Sequence, residues 1–253
     1  MDKIDLNKLA RVVTKAGIIL MESGAETYRV EDTMERICKA YGATIVDSYA
    51  TPTMLLISFS INDELCHNIK RVKLKSVDLT KIDQVNALSR YVSNHQIELD
   101  KCNDLLDEIN NTKPYSDLIM IIGAIICSFG FTFFFKGSFM DAIIASIIGL
   151  IIKMLNIFLN KIEFSAFFNN VICGSLVTLL AMIIAHFGLC NQDIIIISVI
   201  MLLVPGLAIT NAIRDTVGGD LVSGLTRTTE AIFIAIALAL GSGIILMLFG
   251  GIL

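Results

Sequence analysis

The stretch that decides the fold is LVPGLAITNAIRDTVGGDLVSGLTRTTE, residues 203–230, which lies between two strongly apolar runs. It contains a Pro-Gly pair and a Gly-Gly pair, together with two arginines and three carboxylates, Asp215, Asp220 and Glu230. Glycine and proline interrupt helices, and charged side chains are costly inside a membrane span. Residues 203–230 therefore resemble neither an ordinary loop nor an ordinary transmembrane helix, which marks them as a specialised segment.

Composition divides the chain into two parts. The mean hydropathy of +0.73 is too high for a typical soluble domain. Yet 15 of the 20 Lys and Arg and 17 of the 24 Asp and Glu precede Pro114. We therefore expect an α-helical membrane protein with about five transmembrane helices over residues 115–253, preceded by a small α+β cytoplasmic domain over residues 1–114. The net charge of −4 is small and dispersed, which argues against a nucleic-acid partner.

The cysteines and histidines predict neither a disulfide framework nor a metal site. The six cysteines show no paired spacing, and three histidines are too few for a zinc pattern. We expect reduced cysteines, no metal and no cofactor. The first 17 residues have no long apolar core and no small-residue cleavage site, so a signal peptide is not expected.

The first half of the chain alternates helical and strand patterns. Apolar residues at three- and four-residue steps predict one long helix over residues 5–40, with a break or a close contact at Gly24. Short segments of β character predict strands at Thr44–Tyr49, Thr53–Ser60 and Cys66–Val77, with apolar and basic residues alternating at 71–75. Helices are expected over Lys81–Ser93, with Thr80 and Asp83 forming the capping arrangement, and over Ile97–Ile109.

A charged motif lies inside the long predicted helix. If that helix is continuous, Glu22, Glu26 and Arg29 share one face. One interpretation is a solvated row of ion pairs, and the other is a gate at the cytoplasmic entrance of a transport path. The gating hypothesis includes the following residues of the motif: Glu22, Ser23, Gly24, Glu26, Thr27, Arg29, Glu31 and Asp32.

A hydrolytic enzyme is the main alternative for the first half. Ser23, Ser48, Ser58, His67 and Asp47 supply the residue types of a hydrolase. However, the sequence has no nucleophile elbow, no phosphate-binding loop and no metal-ligand spacing. Dispersed residues of these types occur in most chains of this length, so we do not expect an enzyme.

The second half contains stretches long enough to span a membrane. A span needs about 20 apolar residues to cross a hydrocarbon core of about 30 Å. The distribution of Lys and Arg favours a cytoplasmic N-terminal domain, with Lys136 as a mild exception. Five stretches qualify, at residues 118–135, 139–159, 166–187, 194–213 and 228–253.

Small residues within these spans predict close helix packing. Ala231, Ala235, Ala239 and Gly243 repeat every four residues in the last span. A similar row, Asn170, Gly174 and Thr178, occupies the third span. We interpret both rows as packing faces.

Lys153 is the unusual residue of the second span, followed on its helical face by Asn156 and Asn160. A lysine in this position can extend its ammonium group to the membrane interface, and that interpretation is favoured over a functional one.

Pro205 is predicted to break the fourth span. It falls about 11 residues into that span, and a proline there leaves a backbone carbonyl unpaired. Many secondary transporters build their substrate sites from such broken helices. The alternative is a kinked packing helix followed by an ordinary loop. The transport hypothesis comprises Pro205, Gly206, Thr210, Asn211, Arg214, Asp215, Gly219, Asp220, Ser223, Arg227 and Glu230.

Within this set, each group has an expected role. Thr210 and Asn211 would hydrogen-bond a substrate, and Arg214 would clamp its carboxylate. Asp215 and Asp220 are candidates for coupling to a proton or another cation. Residues 214–230 are expected at the cytoplasmic face, opposite the motif at residues 22–32.

Four segments together resemble the threonine/serine exporter family. They are SGAETYRVEDT at residues 23–33, TPT at 51–53, DQVNALSR at 83–90, and the stretch from Pro205-Gly206 to RTTEA at 227–231. The resemblance covers nearly the whole chain and implies a cytoplasmic-membrane exporter of threonine and serine. In related two-component systems it implies export of small carboxylates such as succinate.

The resemblance also implies partners. Long family members carry a second set of membrane helices, whereas this sequence ends at Leu253 and is more similar to the two-component branch. We therefore expect a lipid bilayer, a small-molecule substrate, a second small membrane-protein subunit and homo-oligomerisation. Alternatives are a succinate or dicarboxylate exporter subunit and a membrane-tethered hydrolase or regulatory module.

Overall fold

A computed structural model describes residues 5–73, 77–95, 97–162 and 164–250. The chain divides into two compact units. The first comprises Met1–Pro114 with Leu207–Thr228, and the second comprises Tyr115–Gly206 with Thr229–Leu253. Residues 207–228, from the stretch quoted above, are thus part of the unit that contains the N-terminal residues.

Helices α1 (Leu6–Glu22) and α2 (Thr27–Ala40) replace the single long helix expected over residues 5–40. Gly24 has φ +84°, a conformation that glycine adopts without steric cost. The N–H of Ala25 bonds the carbonyl of Leu20, and the N–H of Gly24 bonds that of Met21. These two bonds form a Schellman motif, which ends α1 and redirects the chain into α2. The expectation of one continuous helix was therefore wrong, while the break at Gly24 is confirmed.

Strands β1 (Ile45–Thr51), β2 (Met54–Ile61) and β3 (Glu64–Arg71) form an antiparallel sheet in the order β1-β2-β3. The side chains of β2 alternate between buried and partly exposed, whereas the alternation expected at residues 71–75 falls where β3 has already ended. Leu55, Ile57 and Phe59 enter a core shared with α1 and α2. β3 ends six residues before the expected Val77, and residues 74–76 lie outside the described part of the chain.

Helices α3 (Leu79–Asn94) and α4 (Leu99–Asn111) complete the N-terminal core. Val85, Leu88 and Val92 of α3 are buried, as their spacing predicts. The cap of α3 differs from the expectation, because Asp78 and not Thr80 accepts the N–H of Lys81. The Asp78 N–H in turn bonds the carbonyl of Ser23, which ties the start of α3 to the α1–α2 turn.

Helix α9 (Gly206–Gly218) and the first turns of α10 (Leu221–Phe249) supply the remainder of the first unit. Gly219, with φ +97°, ends α9. A Cβ atom added to Gly224 would overlap the hydroxyl of Thr216, so that only glycine lets α10 lie this close to α9. The Gly-Gly break expected from the sequence is therefore a tight helix–helix turn.

The second unit is built from α5 (Asp117–Phe134), α6 (Phe139–Lys161), α7 (Ala166–His186), α8 (Gln192–Ile200) and the rest of α10. Among the described residues, four helices are long and apolar enough to cross a membrane: α5, α6, α7 and α10. The fourth expected span, residues 194–213, is instead divided between α8 and α9. The turn at residues 201–205 separates them, at the proline that the sequence marked as a break.

Glycines of α7 and α10 bring these two helices into close contact. A Cβ on Gly174 would lie 3.0 Å from the carbonyl oxygen of Leu238, and one on Gly241 would overlap the carbonyl oxygen of Val171. The row at Gly174 is thus confirmed as a packing face. The row Ala231, Ala235, Ala239 and Gly243 is not a packing face within this chain. Ala235 and Ala239 are exposed, and a Cβ on Gly243 meets open space.

Candidate functional site

A buried ion pair lies at the centre of the candidate site. Asp215 of α9 and Arg227 of α10 have side chains that are 0% and 5% exposed, with Oδ2 and Nε 3.0 Å apart. The Arg227 Nε–H does not point at a hydrogen-bond acceptor, so the contact is ionic without hydrogen-bond geometry. Removing either partner would leave a buried charge uncompensated, which makes the pair costly to disrupt.

Asp215 also caps helix α2. Its Oδ1 accepts the backbone N–H of Thr27, and its Oδ2 accepts the Thr27 hydroxyl, each at 3.1 Å. Thr27 is the first residue of α2, where unpaired N–H groups and the helix dipole favour a negative charge. Glu26, at the N-cap position, makes no side-chain capping bond. The Asp215 carboxylate of α9 therefore caps α2 in place of a side chain at the N-cap position.

The carbonyl groups of the α1–α2 turn accept bonds from the same two helices. Arg227 Nη2 donates to the carbonyl of Ala25 at 2.6 Å, and Asn211 Nδ2 donates to that of Gly24 at 2.9 Å. The Schellman turn exposes these carbonyls because its residues have left the helix. The motif at residues 23–27 is thus held to α9 and α10 by four hydrogen bonds, and the Asp215–Arg227 ion pair joins those two helices to each other.

Glu26 bridges two arginines. Its Oε2 accepts from Arg29 Nε at 2.8 Å, and its Oε1 accepts from Arg214 Nη1 at 2.5 Å. Burial alone would raise the pKa of Glu26, but its own backbone N–H and the two arginines lower the pKa overall. The Arg214 side chain is 55% exposed, so that this arginine remains accessible from solvent while it is paired.

Two further carboxylates lie near Asp215 in an unfavourable environment. Burial raises the pKa of Glu31, and the negative charges of Asp220, Glu35 and Asp215 raise it further, against one bond from the Ala50 N–H at 2.8 Å. Burial and the charge of Asp215 raise the pKa of Asp220. Both groups therefore hold a proton more readily than ordinary carboxylates do.

The remaining expected residues are distributed unevenly. Ser223 is buried, and its hydroxyl donates to the carbonyl of Ala50 at 3.5 Å. Asp32 forms an exposed ion pair with Arg36. Glu230 is exposed and lies three residues beyond Arg227 along α10. Thr210 lies within α9. The others lie in or beside three helix breaks, namely Glu22, Ser23, Gly24, Pro205, Gly206 and Gly219.

Sequence reasoning missed the backbone groups of the site. The carbonyls of Gly24 and Ala25 and both polar backbone atoms of Ala50 take part, although none of these residues has a polar side chain. One available signal is the absence of Ser, Thr, Asp or Asn at the N-cap of α2. That absence indicates a cap supplied from elsewhere in the chain.

The residues considered for a hydrolase do not form a linked set. The sheet register pairs Asp47 with Ser58 and Ser58 with His67. In the described part of the chain, no hydrogen bond joins these three side chains. Ser48 donates instead to Glu35, and Ser23 is buried at the α1–α2 turn.

Cysteines and metal-ligating residues show no clustering across residues 5–73, 77–95, 97–162 and 164–250. All six cysteines are free. Burial raises the pKa of the Cys38 thiol to about 12, so that it remains protonated at neutral pH. No group of three His, Cys, Asp or Glu residues in these ranges could hold a metal ion.

Long apolar helices joined to a charged α+β unit define a multi-pass helical membrane protein. Within the apolar part of the sequence, the turn at residues 201–205 separates α8 from α9. The chain belongs to the threonine/serine exporter family, since the family model described as "Putative threonine/serine exporter" matches residues 11–249.

Two curated relatives are similar along nearly the whole chain. A protein of Mycobacterium tuberculosis named "Probable threonine/serine exporter" is 23% identical over 246 residues, covering 95% of this chain and 46% of the relative. A "Threonine/serine exporter" of Corynebacterium glutamicum is 24% identical over 255 residues, covering 96% and 52%. The chain therefore spans about half the length of these relatives. No solved structure matches it significantly.

Proposed function

We propose that the chain is a subunit of a secondary exporter that moves threonine, serine or a related small carboxylic acid out across the cytoplasmic membrane. The family match over residues 11–249 carries this proposal. Export of succinate or another dicarboxylate is the alternative within the same class, because every one of these substrates presents a carboxylate to an arginine. The chain is proposed to act by transport and not as an enzyme.

The proposed gate is the pairing of Glu26 with Arg214. Arg214 is more than half exposed while it binds the carboxylate of Glu26. A substrate carboxylate can replace Glu26 by forming the same type of charge-assisted hydrogen bond. Release of Glu26 would loosen the α1–α2 turn from α9. In this proposal Thr210 and Asn211 contact the rest of the substrate, and the motif at residues 22–32 is the gate.

The proposed coupling groups are the carboxylates around Arg227. Glu31 and Asp220 have raised pKa values and share the environment of Asp215. Binding or release of a proton there changes the charge that faces the Asp215–Arg227 pair. Asp215 and Asp220 are the proposed groups that couple transport to a proton or another cation.

The proposal places the first unit in the cytoplasm and includes a partner. Because the alignments use only 46% and 52% of the two relatives, a second small membrane protein is proposed to supply the remaining helices. Homo-oligomerisation of the complete exporter is also proposed.

Efflux measurements test the proposal. Cells expressing the chain with its candidate partner are loaded with labelled threonine, serine or succinate, and loss of label is followed. We expect faster efflux of at least one substrate than in cells without the chain. Arg214→Ala is expected to lower efflux about tenfold or more, because the charge-assisted bond to the substrate is lost. Glu26→Gln is expected to raise the apparent affinity for the substrate, because the Glu26 carboxylate no longer competes with the substrate carboxylate for Arg214.

Arg90→Ala is the matched control, since Arg90 is an exposed arginine on α3. Its efflux should equal that of the unmodified chain. Equal efflux for Arg214→Ala would remove Arg214 from the gate. Failure of the chain, with or without a partner, to export any of the three substrates would refute the exporter.

A further inference from the structure

A cavity with polar and apolar lining lies within the second unit, the one that contains α5, α6 and α7, outside the site described above. Its volume is about 150 Å³, and Ile152, Lys153, Asn156, Asn170, Leu202 and Leu203 line it. A water molecule needs only about 10–15 Å³ of such volume. The cavity can therefore admit a small organic molecule of several heavy atoms.

The wall of this cavity includes the turn that interrupts the expected fourth span, residues 194–213. Leu202 and Leu203 belong to residues 201–205, between α8 and α9, where the backbone leaves the helical path. Together with Ile152 they are the apolar part of a lining whose polar part is Lys153, Asn156 and Asn170. Small-molecule sites typically combine apolar lining with a few convergent polar groups.

Lys153 supplies the positive charge in the lining of the cavity. It lies eight residues before the end of α6 at Lys161, about 12 Å from that end at 1.5 Å per residue. It is only partly exposed, and no carboxylate among the described residues pairs with its ammonium group. A cation within a membrane helix usually has a partner or faces a ligand path. The cavity offers the ammonium group a position beside a bound anion.

A row of asparagines continues from the cavity along α6 and α7. Asn169 Nδ2 donates to Asn160 Oδ1, and Asn160 Nδ2 donates to Asn156 Oδ1, each at 3.1 Å. The side chain of Asn156 also hydrogen-bonds the Cys173 thiol, so that one of its two amide N–H groups remains as a donor for a ligand. Asn170 Nδ2 donates to the carbonyl of Ala166 at 2.9 Å, which leaves the Asn170 carbonyl oxygen as an acceptor.

We propose that this cavity is a carboxylate-binding subsite, in which Lys153 neutralises the carboxylate of a small amino or carboxylic acid and Asn156 donates a hydrogen bond to it. Asn170 accepts a bond from an ammonium or hydroxyl group of the same ligand. The proposal rests on the exporter function for the identity of the ligand class. It assigns the lysine a binding role in place of the interfacial one expected from the sequence.

Equilibrium binding to the purified full-length chain tests the subsite. The chain is placed in phosphatidylcholine nanodiscs, and binding of labelled L-threonine and of labelled succinate is measured. We expect saturable binding of at least one probe, with competition by unlabelled probe. 1-Amino-2-propanol, which is threonine without its carboxylate, should not compete. Lys153→Met is expected to weaken binding about tenfold or more, and Lys153→Arg to weaken it less.

Lys136→Met is the matched control, because Lys136 is an exposed lysine in the loop between α5 and α6. It should bind as the unmodified chain does. Asn156→Leu, which keeps the lysine, is a second variant expected to weaken binding. Circular dichroism of every variant establishes that it is folded.

Three binding results would overturn the subsite. These are no binding of either probe by the unmodified chain, equal binding by folded Lys153→Met, and Lys153-dependent retention of phosphatidylglycerol without carboxylate binding. The last result would assign the cavity to a lipid headgroup phosphate. Normal efflux by Lys153→Met would refute the subsite and leave the exporter proposal intact. Conversely, Lys153-dependent binding without efflux would refute the exporter alone.

Discussion

One carboxylate, that of Asp215, connects three segments of the first unit. It pairs with Arg227 of α10, caps α2 through Thr27, and contributes to the raised pKa values of Glu31 and Asp220. Since Asp215 is buried, each of these contacts is shielded from water. The stability of the unit should therefore respond strongly to its charge.

Double-mutant analysis of Asp215 and Arg227 provides a quantitative prediction. Asp215→Asn should lower the free energy of unfolding by about 3 kcal/mol, because Arg227 is left as an uncompensated buried charge. Arg227→Gln should have a similar effect. The combined variant should lose less than the sum of the two losses, with a coupling energy of about 1–3 kcal/mol. Denaturant titration followed by circular dichroism measures all three values.

Strict additivity of the two losses would contradict the ion pair. Asp193→Asn is a suitable control, because Asp193 lies in the first turn of α8 in the other unit. It should leave the unfolding transition of the first unit unchanged.

The raised pKa of Glu31 predicts a defined dependence of stability on pH. A carboxyl whose pKa is higher in the folded state than in the unfolded state binds more protons when folded, so its ionisation destabilises the fold. That penalty is absent below the ordinary carboxyl pKa, grows as pH rises to the raised value and is constant above it. Glu31→Gln keeps the acceptor for Ala50 and removes the charge.

We therefore expect Glu31→Gln to be more stable than the unmodified chain at pH 7, with the difference vanishing as the pH falls to about 4. Thermal unfolding by circular dichroism across this range measures the difference. Glu108→Gln, at an exposed position on α4, is the control. A difference for Glu31→Gln that does not change with pH would contradict the environment described for Glu31.

At the scale of elements, the sequence predicted where helices are interrupted better than it predicted which groups form the hydrogen bonds of the site. Gly24 and Pro205 were both identified as breaks, because glycine and proline act through their own backbone conformation. The acceptors that fill the site were not predicted, since backbone carbonyls of Gly24, Ala25 and Ala50 carry no side-chain signal. Residue spacing also could not choose the packing face of α10, because small residues occur on several faces of that helix.

The corrected packing face of α10 gives a prediction with two neighbouring glycines. Gly241→Ala should destabilise the membrane unit by about 1–3 kcal/mol, because its methyl group would overlap the Val171 carbonyl and force α7 and α10 apart. Gly243→Ala should be neutral, because its methyl group meets open space. Unfolding in mixed detergent micelles, followed by circular dichroism, compares the variants. A greater loss of stability for Gly243→Ala than for Gly241→Ala would support the packing face first expected at Ala231, Ala235, Ala239 and Gly243.

At the scale of the whole molecule, composition identified a helical membrane protein with a charged α+β part, and the residue motifs identified its family. The number of spans was less accurate. A hydropathy window over residues 194–213 does not detect a turn at residues 201–205, because the residues in that turn are themselves apolar. Five spans were expected, and four helices among the described residues are long enough to cross a membrane. Hydropathy alone does not give the length of a helix.

The proposed orientation predicts which exposed positions are accessible from outside the cell. With the first unit in the cytoplasm, Lys136→Cys in the α5–α6 loop should react with a membrane-impermeant maleimide on intact cells. Ser93→Cys, at the end of α3, should react only after permeabilisation. Labelling above that of the parental chain is the measurement, since Cys127 is exposed. The reverse pattern would place the first unit outside.

The shortness of α8 has a consequence for the lipid around the protein. Its nine residues rise about 14 Å, less than half of a hydrocarbon core of about 30 Å. Wherever this helix meets lipid, the bilayer must become thinner, unless neighbouring protein covers the backbone beyond its ends. Phospholipids with short acyl chains reduce that hydrophobic mismatch, and long saturated chains increase it. Membrane thickness thus becomes a variable that sets the energy of this part of the protein, independently of any substrate or pH.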